Sequence, residues 1–143
     1  MRMVLVLAAA TAIGVAGCSS PPPEKPQQGT LVAGTAQVKV NDADAGTTDA
    51  VQCTIAGPLT TITTGDDQSG VTALVSNADA LTAESVTIRN LGGFTGSYNA
   101  GLGGETKVTQ TGRTYDITGT ADGFQTDQPS FRTTGTFTVK VAC

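Results

Sequence analysis

The sequence predicts an all-β fold: a single antiparallel β-sandwich or small barrel-like domain behind a signal peptide and a proline-rich tether. Three observations carry this. The first is composition, with 18 glycines, abundant threonine and few of the long unbranched residues that favour helices. Threonine is β-branched and stiff at χ1, which suits a pleated strand. The second is a series of short alternating runs, separated by Gly, Asp and Asn at roughly ten-residue intervals, the spacing of sandwiches and barrels. The third is an N-terminal apolar run that ends at a cysteine and gives way to prolines.

The segment 1–17 has one positive charge, Arg2, an apolar span from Val4 to about Val15, and small residues at its end. That span is shorter than the roughly 20 apolar residues of a permanent bilayer helix and, Thr11 apart, lacks the polar face of an amphipathic one. It reads as an export signal that is cleaved before Cys18. Val15, Ala16 and Gly17 then form a lipobox, and Cys18 is the acceptor of an S-diacylglycerol group and an N-acyl chain. This predicts a cell-membrane, lipid-anchored protein facing outward in the envelope, with the lipoprotein-processing enzymes as its first partners.

Residues 18–34 hold four of the six prolines: Pro21, Pro22, Pro23 and Pro26. Prolines this dense have fixed φ and no amide donor, so they form an extended spacer. At about 3.1 Å per residue it reaches roughly 50 Å from the membrane surface.

Residues 35–143 form the β-domain. The first strand is expected at Thr35–Val40, followed by a turn over Asn41–Gly46. Further strands are expected at Ala50–Ile55, Leu59–Thr64, Val71–Ser76, Ser85–Asn90, Phe94–Tyr98, Glu105–Gln110, Arg113–Thr120 and Phe131–Ala142. Only Asn77–Glu84 offers a short helix, with Asn77 as its cap and Leu81 inside. Alternation assigns Val38, Val40, Val51, Ile55, Val86, Ile88, Tyr115, Ile117, Phe137, Val139 and Val141 to the core.

With Cys18 committed to lipid, Cys53 and Cys143 remain. Export places them in an oxidising compartment, where such a pair forms a disulfide. Cys53 shares parity with Val51 and Ile55, and Cys143 with Val141 and Val139, so both thiols are expected on the core side. Neither has a CxxC partner or a basic cluster that would mark a reactive thiol.

The chain contains no histidine, which excludes a Ser-His-Asp triad and histidine-ligated metals. Asn41-Asp42-Ala43-Asp44-Ala45-Gly46 resembles a calcium loop superficially, but counting from Asp42 the fifth and twelfth positions are Gly46 and Cys53. The stretch reads as a solvated turn, and Asp66-Asp67 as a charged hairpin tip. The glycine-dense segment from Gly92 to Gly104 lacks the Lys-Ser/Thr of a phosphate loop, since Leu102 and Gly103 follow Gly101. Its glycines fit a flexible or bulged hairpin, while Phe94, Tyr98 and Leu102 are candidates for a mobile rim that holds an apolar or sugar ligand. No catalytic, metal or cofactor site is predicted. The net charge of −4, one unit more negative without Arg2, does not favour nucleic acid as a partner.

Four features occur together: the lipobox, Val51-Gln52-Cys53-Thr54, the run Tyr115-Asp116-Ile117-Thr118-Gly119-Thr120-Ala121-Asp122-Gly123, and a terminal Val139-Lys140-Val141-Ala142-Cys143. Together they resemble the LpqH-type mycobacterial lipoprotein antigens over most of the mature domain. The resemblance implies an envelope lipoprotein whose acylated N-terminus is sensed by host Toll-like receptor 2, and a domain without a settled biochemical activity. Members of that family carry Thr/Ser-rich, mannosylated linkers; this linker departs from them, with only Ser19, Ser20 and Thr30 as hydroxyls.

Two functions follow. The first is a non-enzymatic, membrane-tethered domain for binding or structural interaction. The second is a carrier of a lipid or small apolar ligand within the envelope, which needs a cavity of several hundred Å³.

Overall fold

A computed structural model describes Gly17 and residues 29–143. The described chain forms ten strands: β1 Ala36–Val40, β2 Ala43–Thr48, β3 Val51–Ala56, β4 Leu59–Gly65, β5 Gly70–Ser76, β6 Thr82–Leu91, β7 Phe94–Asn99, β8 Thr106–Thr111, β9 Thr114–Gln125 and β10 Gln128–Ala142. All pair antiparallel in one sheet of order β2-β1-β10-β9-β7-β6-β5-β4-β3, with β8 attached to β9 beside this path. The sheet curls into a nearly closed barrel. Its two ends approach where Thr47 and Thr48 of β2 face Thr64 and Gly70 across a cleft of about 220 Å³.

The alternation read from the sequence builds the interior. Val38, Val40, Val86, Ile88, Tyr115, Ile117, Phe137, Val139 and Val141 are buried, as expected, and are joined by Ile62, Val71, Ala73, Val75 and Phe94. Val51 is half-buried and packs against this cluster. Ile55 departs from the expectation, being 75 % exposed. It has the inward parity of Cys53, but it lies near the end of a sheet-edge strand, and parity buries a residue only where something covers that face. Among the described residues, no buried side-chain nitrogen or oxygen lacks a hydrogen-bond partner. Thr64, for example, accepts the Val71 N–H at 3.2 Å.

Two local expectations are corrected. The turn expected over Asn41–Gly46 contracts to Asn41-Asp42, both with positive φ (52° and 64°), and the residues beyond pair as β2. Asn and Asp tolerate this left-handed backbone, so a two-residue hairpin closes here. The helix expected over Asn77–Glu84 is absent. Asn77 N–H instead donates to the Pro58 carbonyl at 2.9 Å, and Thr82 and Ala83 pair with Ser76 and Val75. A two-turn helix has little intrinsic stability, and sheet pairing overrides it.

The disulfide is formed between Cys53 and Cys143, with 5.9 Å between their Cα atoms. Cys53 belongs to the strand at one end of the sheet order, and Cys143 directly follows β10 near the other end. The bond therefore ties the edge strand β3 to the end of β10.

The chain enters the barrel beside this bond. Leu31 N–H donates to Thr114 Oγ1 at 3.1 Å, and Gly34 N–H to the Ala142 carbonyl at 2.9 Å. Cys143 N–H caps the Arg113 carbonyl at the same end. At the opposite end the Asp66–Ser69, Asn90–Gly93 and Thr126-Asp127 loops interlock. There Thr126 N–H donates to the Gly93 carbonyl at 2.8 Å, and Ser69 Oγ to the Asn90 carbonyl at 3.1 Å.

Candidate functional site

The residues proposed as an acylation site, Val15, Ala16 and Cys18, lie outside the described residues; Gly17 is described and exposed. The three residues expected at a ligand rim do not form one. Phe94 is fully buried, Leu102 is 81 % exposed and lines a shallow hollow with Ser97, Asn99 and Asp122, and Tyr98, half-buried, lines a separate groove. Phe94 opens β7 on its inward face, and its ring fills the core beside Gly96 and Gly135, where an added Cβ would lie 2.6 Å and 3.0 Å from its Cζ. A missing side chain at each glycine makes the space for the ring.

The groove at Tyr98 arises from a split in the sheet. β9 has twelve residues, and two shorter strands share one of its edges. β8 pairs with Thr114–Gly119 and β7 with Asp122–Gln125. β7 in turn pairs with β6 only from Ser85 onward. The first residues of β6 therefore face β8 with no ladder between them, although Cα atoms of the two strands come within 8 Å. The result is an open groove of about 420 Å³.

Leu81, Tyr98 and Val108 give the groove an apolar floor packed against the core, while Glu84, Thr106 and Lys107 give it a polar wall. The connection from β7 to β8 crosses the Tyr98 ring at Gly104, where an added Cβ would approach Cδ2 to 3.3 Å and Thr120 Oγ1 to 3.1 Å. Gly104 has φ +79°, so both its backbone and its lack of a side chain are required to hold the loop against the ring. Sequence reasoning flagged Tyr98 but missed its partners. The groove depends on where the β7 and β8 ladders end along β9, a long-range property; its local signal is the glycine pair directly before Glu105.

A second surface feature is the loop after β4. The Asp66 carboxylate accepts the N–H groups of Ser69 and Gln68 at 2.8 Å each, and these bonds hold its pKa below the ordinary aspartate value against an opposing desolvation, with the charge of Arg89 a lesser contribution. Arg89 is itself held, donating to Thr72 Oγ1 at 2.8 Å and to the Asp66 carbonyl at 3.1 Å. These bonds close a turn and leave no group poised for chemistry. Asp44, from the stretch that mimics a calcium loop, turns inward on its own hairpin and accepts Gly46 N–H at 3.1 Å. Among the described residues, no three acidic or cysteine side chains gather into a metal-binding group.

Residues 29–143 match the family described as the Mycobacterium 19 kDa lipoprotein antigen. A protein of Mycobacterium indicus pranii named as a lipoprotein is 38% identical over 143 residues, covering 99% of this chain and 98% of its own. A similarly named protein of Mycobacterium avium subsp. hominissuis is 38% identical over 141 residues, 98% of this chain and 92% of its own. Lipoprotein LpqH of Mycobacterium tuberculosis is 31% identical over 108 residues, 75% of this chain and 68% of its own. The chain belongs to the mycobacterial 19 kDa lipoprotein antigen family.

Proposed function

We propose that this lipoprotein is anchored through acylated Cys18, faces outward in the envelope, and works as a non-enzymatic binding or structural domain. One observation carries the reading: an apolar leader ending in Val15-Ala16-Gly17-Cys18 precedes a domain whose chain enters at a single end, beside the disulfide. An anchor on that side leaves the Asp66–Ser69, Asn90–Gly93 and Thr126-Asp127 loops farthest from the membrane. A diacylglyceryl thioether plus an N-acyl chain supplies more than the two signals that stable attachment needs, at about 0.8 kcal/mol per buried CH₂. Diacylglyceryl transfer and leader cleavage make the lipoprotein-processing enzymes its partners, and the acylated N-terminus is the part that Toll-like receptor 2 recognises.

The domain's chemistry supports a non-enzymatic role. It has no histidine, and the Asp66 carboxylate, whose pKa is lowered, is engaged in a turn. The carrier reading finds support only in the groove at Tyr98, which is open and half polar; the aliphatic core is filled by its own side chains.

Metabolic labelling with a palmitate analogue tests the anchor. Cys18→Ala is expected to lose the label, to leave the membrane fraction, and to lose signalling in reporter cells expressing Toll-like receptor 2. Undiminished labelling of the variant sinks the reading.

A further inference from the structure

We infer that the groove between β6 and β8 is a saccharide-binding site, with Tyr98 as its stacking platform. The walls decide the class of ligand. Apolar Leu81, Val108 and the Tyr98 ring lie beside the polar Glu84, Thr106 and Lys107. A sugar ring has this same duality, with a C–H face that packs on an aromatic ring and a rim of hydroxyls that both donate and accept. The carboxylate of Glu84 is an acceptor and the ammonium of Lys107 a donor, so the two rims complement hydroxyls of either polarity. No ion pair between them is formed that a ligand would have to break. Tyr98 adds a phenolic hydroxyl to an apolar face, the amphipathic character that suits a wet, half-polar site.

Other occupants fit less well. An extended peptide inserted between β6 and β8 requires two strand spacings, about 9.6 Å, whereas their Cα atoms approach within 8 Å. An acyl chain requires an enclosed apolar slot, and this groove is open with a charged rim. Nucleic acid requires a basic surface, and the chain is acidic. The site is also preorganised. Gly104 presses on the Tyr98 ring from the β7–β8 connection, and the ring's inward edge packs on the core, so little side-chain entropy remains to be lost on binding. An open groove of about 420 Å³ has room for a short oligosaccharide.

The inference does not depend on acylation of Cys18, because the readout is on the domain's own amides. The full chain, ¹⁵N-labelled in detergent micelles, is titrated separately with maltotriose, mannotriose, chitotriose and galactotriose. At least one is expected to give saturable shifts confined to Leu81–Glu84, Tyr98 and Thr106–Val108. Tyrosine fluorescence should change in parallel, since the protein has two tyrosines, no tryptophan, and Tyr115 is buried. Tyr98→Ala is expected to weaken binding at least about tenfold, and Tyr98→Phe, which keeps the stacking face, by no more than about threefold. Glu84 is exposed, so Glu84→Gln tests the polar rim without disturbing the core, with an expected loss of about threefold or more. The inference is overturned if none of the four sugars shifts these amides, if the shifts map elsewhere, or if a decapeptide or lysolipid occupies the groove and no sugar does. Unchanged affinity in both Tyr98→Ala and Glu84→Gln overturns it equally.

Discussion

Phe94 shows how a domain so poor in aromatics builds a core. Its ring is fully buried against Gly96 and Gly135, two strand glycines whose missing side chains form its socket. Glycine in a strand is usually a weakness, costing entropy and contributing no contacts, and an aromatic ring laid over it recovers buried area. Deleting the ring and filling the socket should both destabilise, by different routes. Phe94→Ala leaves a cavity and is expected to cost about 3–5 kcal/mol. Gly135→Ala forces the ring out of place and is expected to cost about 1–3 kcal/mol. Chemical denaturation checks both. A neutral Gly135→Ala would show that the ring relaxes freely and that the socket is not a constraint. Phe94 also marks a limit of reading single residues. Its place beside a glycine-dense stretch resembles a rim, yet its parity on β7 is that of Gly96 and Tyr98, the inward set. Parity was the better guide there, while at Ile55 parity misled, because the covering layer ends before the strand does.

At the scale of elements, nine strands were legible from alternation because most have one dry face and one wet face. β2 was not, since Ala43–Thr48 is dense in turn formers and mostly exposed on both faces. Its only ladder partner is β1, through a bulge that leaves Ala45 unpaired but packed against the core. The expected helix failed for the complementary reason, as residues with tolerable helix propensity were claimed by a neighbouring strand. The groove was illegible because ladder ends are set by register among strands spread from Thr82 to Gln125, not by local pattern. The Asp66 turn is an element whose energetics follow from its bonds. Its carboxyl is more acidic in the folded state than in the unfolded chain, so the stabilisation is present above the unfolded value of about 4 and is lost as pH falls through the lower folded value. In an acid titration, the Gln68 and Ser69 amides are expected to shift together with a midpoint below that of a free aspartate. Asp66→Ala should abolish that transition and speed amide exchange in this loop. A midpoint at or above the free value would show that the two N–H bonds do not hold the charged form.

Over the whole molecule, the weak point is the seam between the two ends of the sheet. β3 has a ladder partner only in β4, and β2 only in β1; the cleft between them is not closed by backbone pairing. Cys53–Cys143 spans this gap with a sequence separation of 90, linking the edge strand to the terminus beside which the chain enters. Closing so long a loop restricts the unfolded chain by about 4–5 kcal/mol in the loop-entropy model, against a typical total stability of about 5–15 kcal/mol. The bond therefore supplies a large fraction of what keeps the barrel folded, and does so only where thiols stay oxidised. The reduced protein, and equally Cys53→Ala with Cys143→Ala, is expected to melt roughly 15–20 °C lower by calorimetry, from about 4 °C per kcal/mol in a domain of this size. Because β3 and β4 lie at the open end of the sheet order, their amides should lose exchange protection first on reduction, while β9 and β10 in the middle of the paired half keep theirs. A melting temperature within about 3 °C of the oxidised protein, or uniform loss of protection across all strands, would show that the seam is held by packing alone and that the disulfide adds little to the native state.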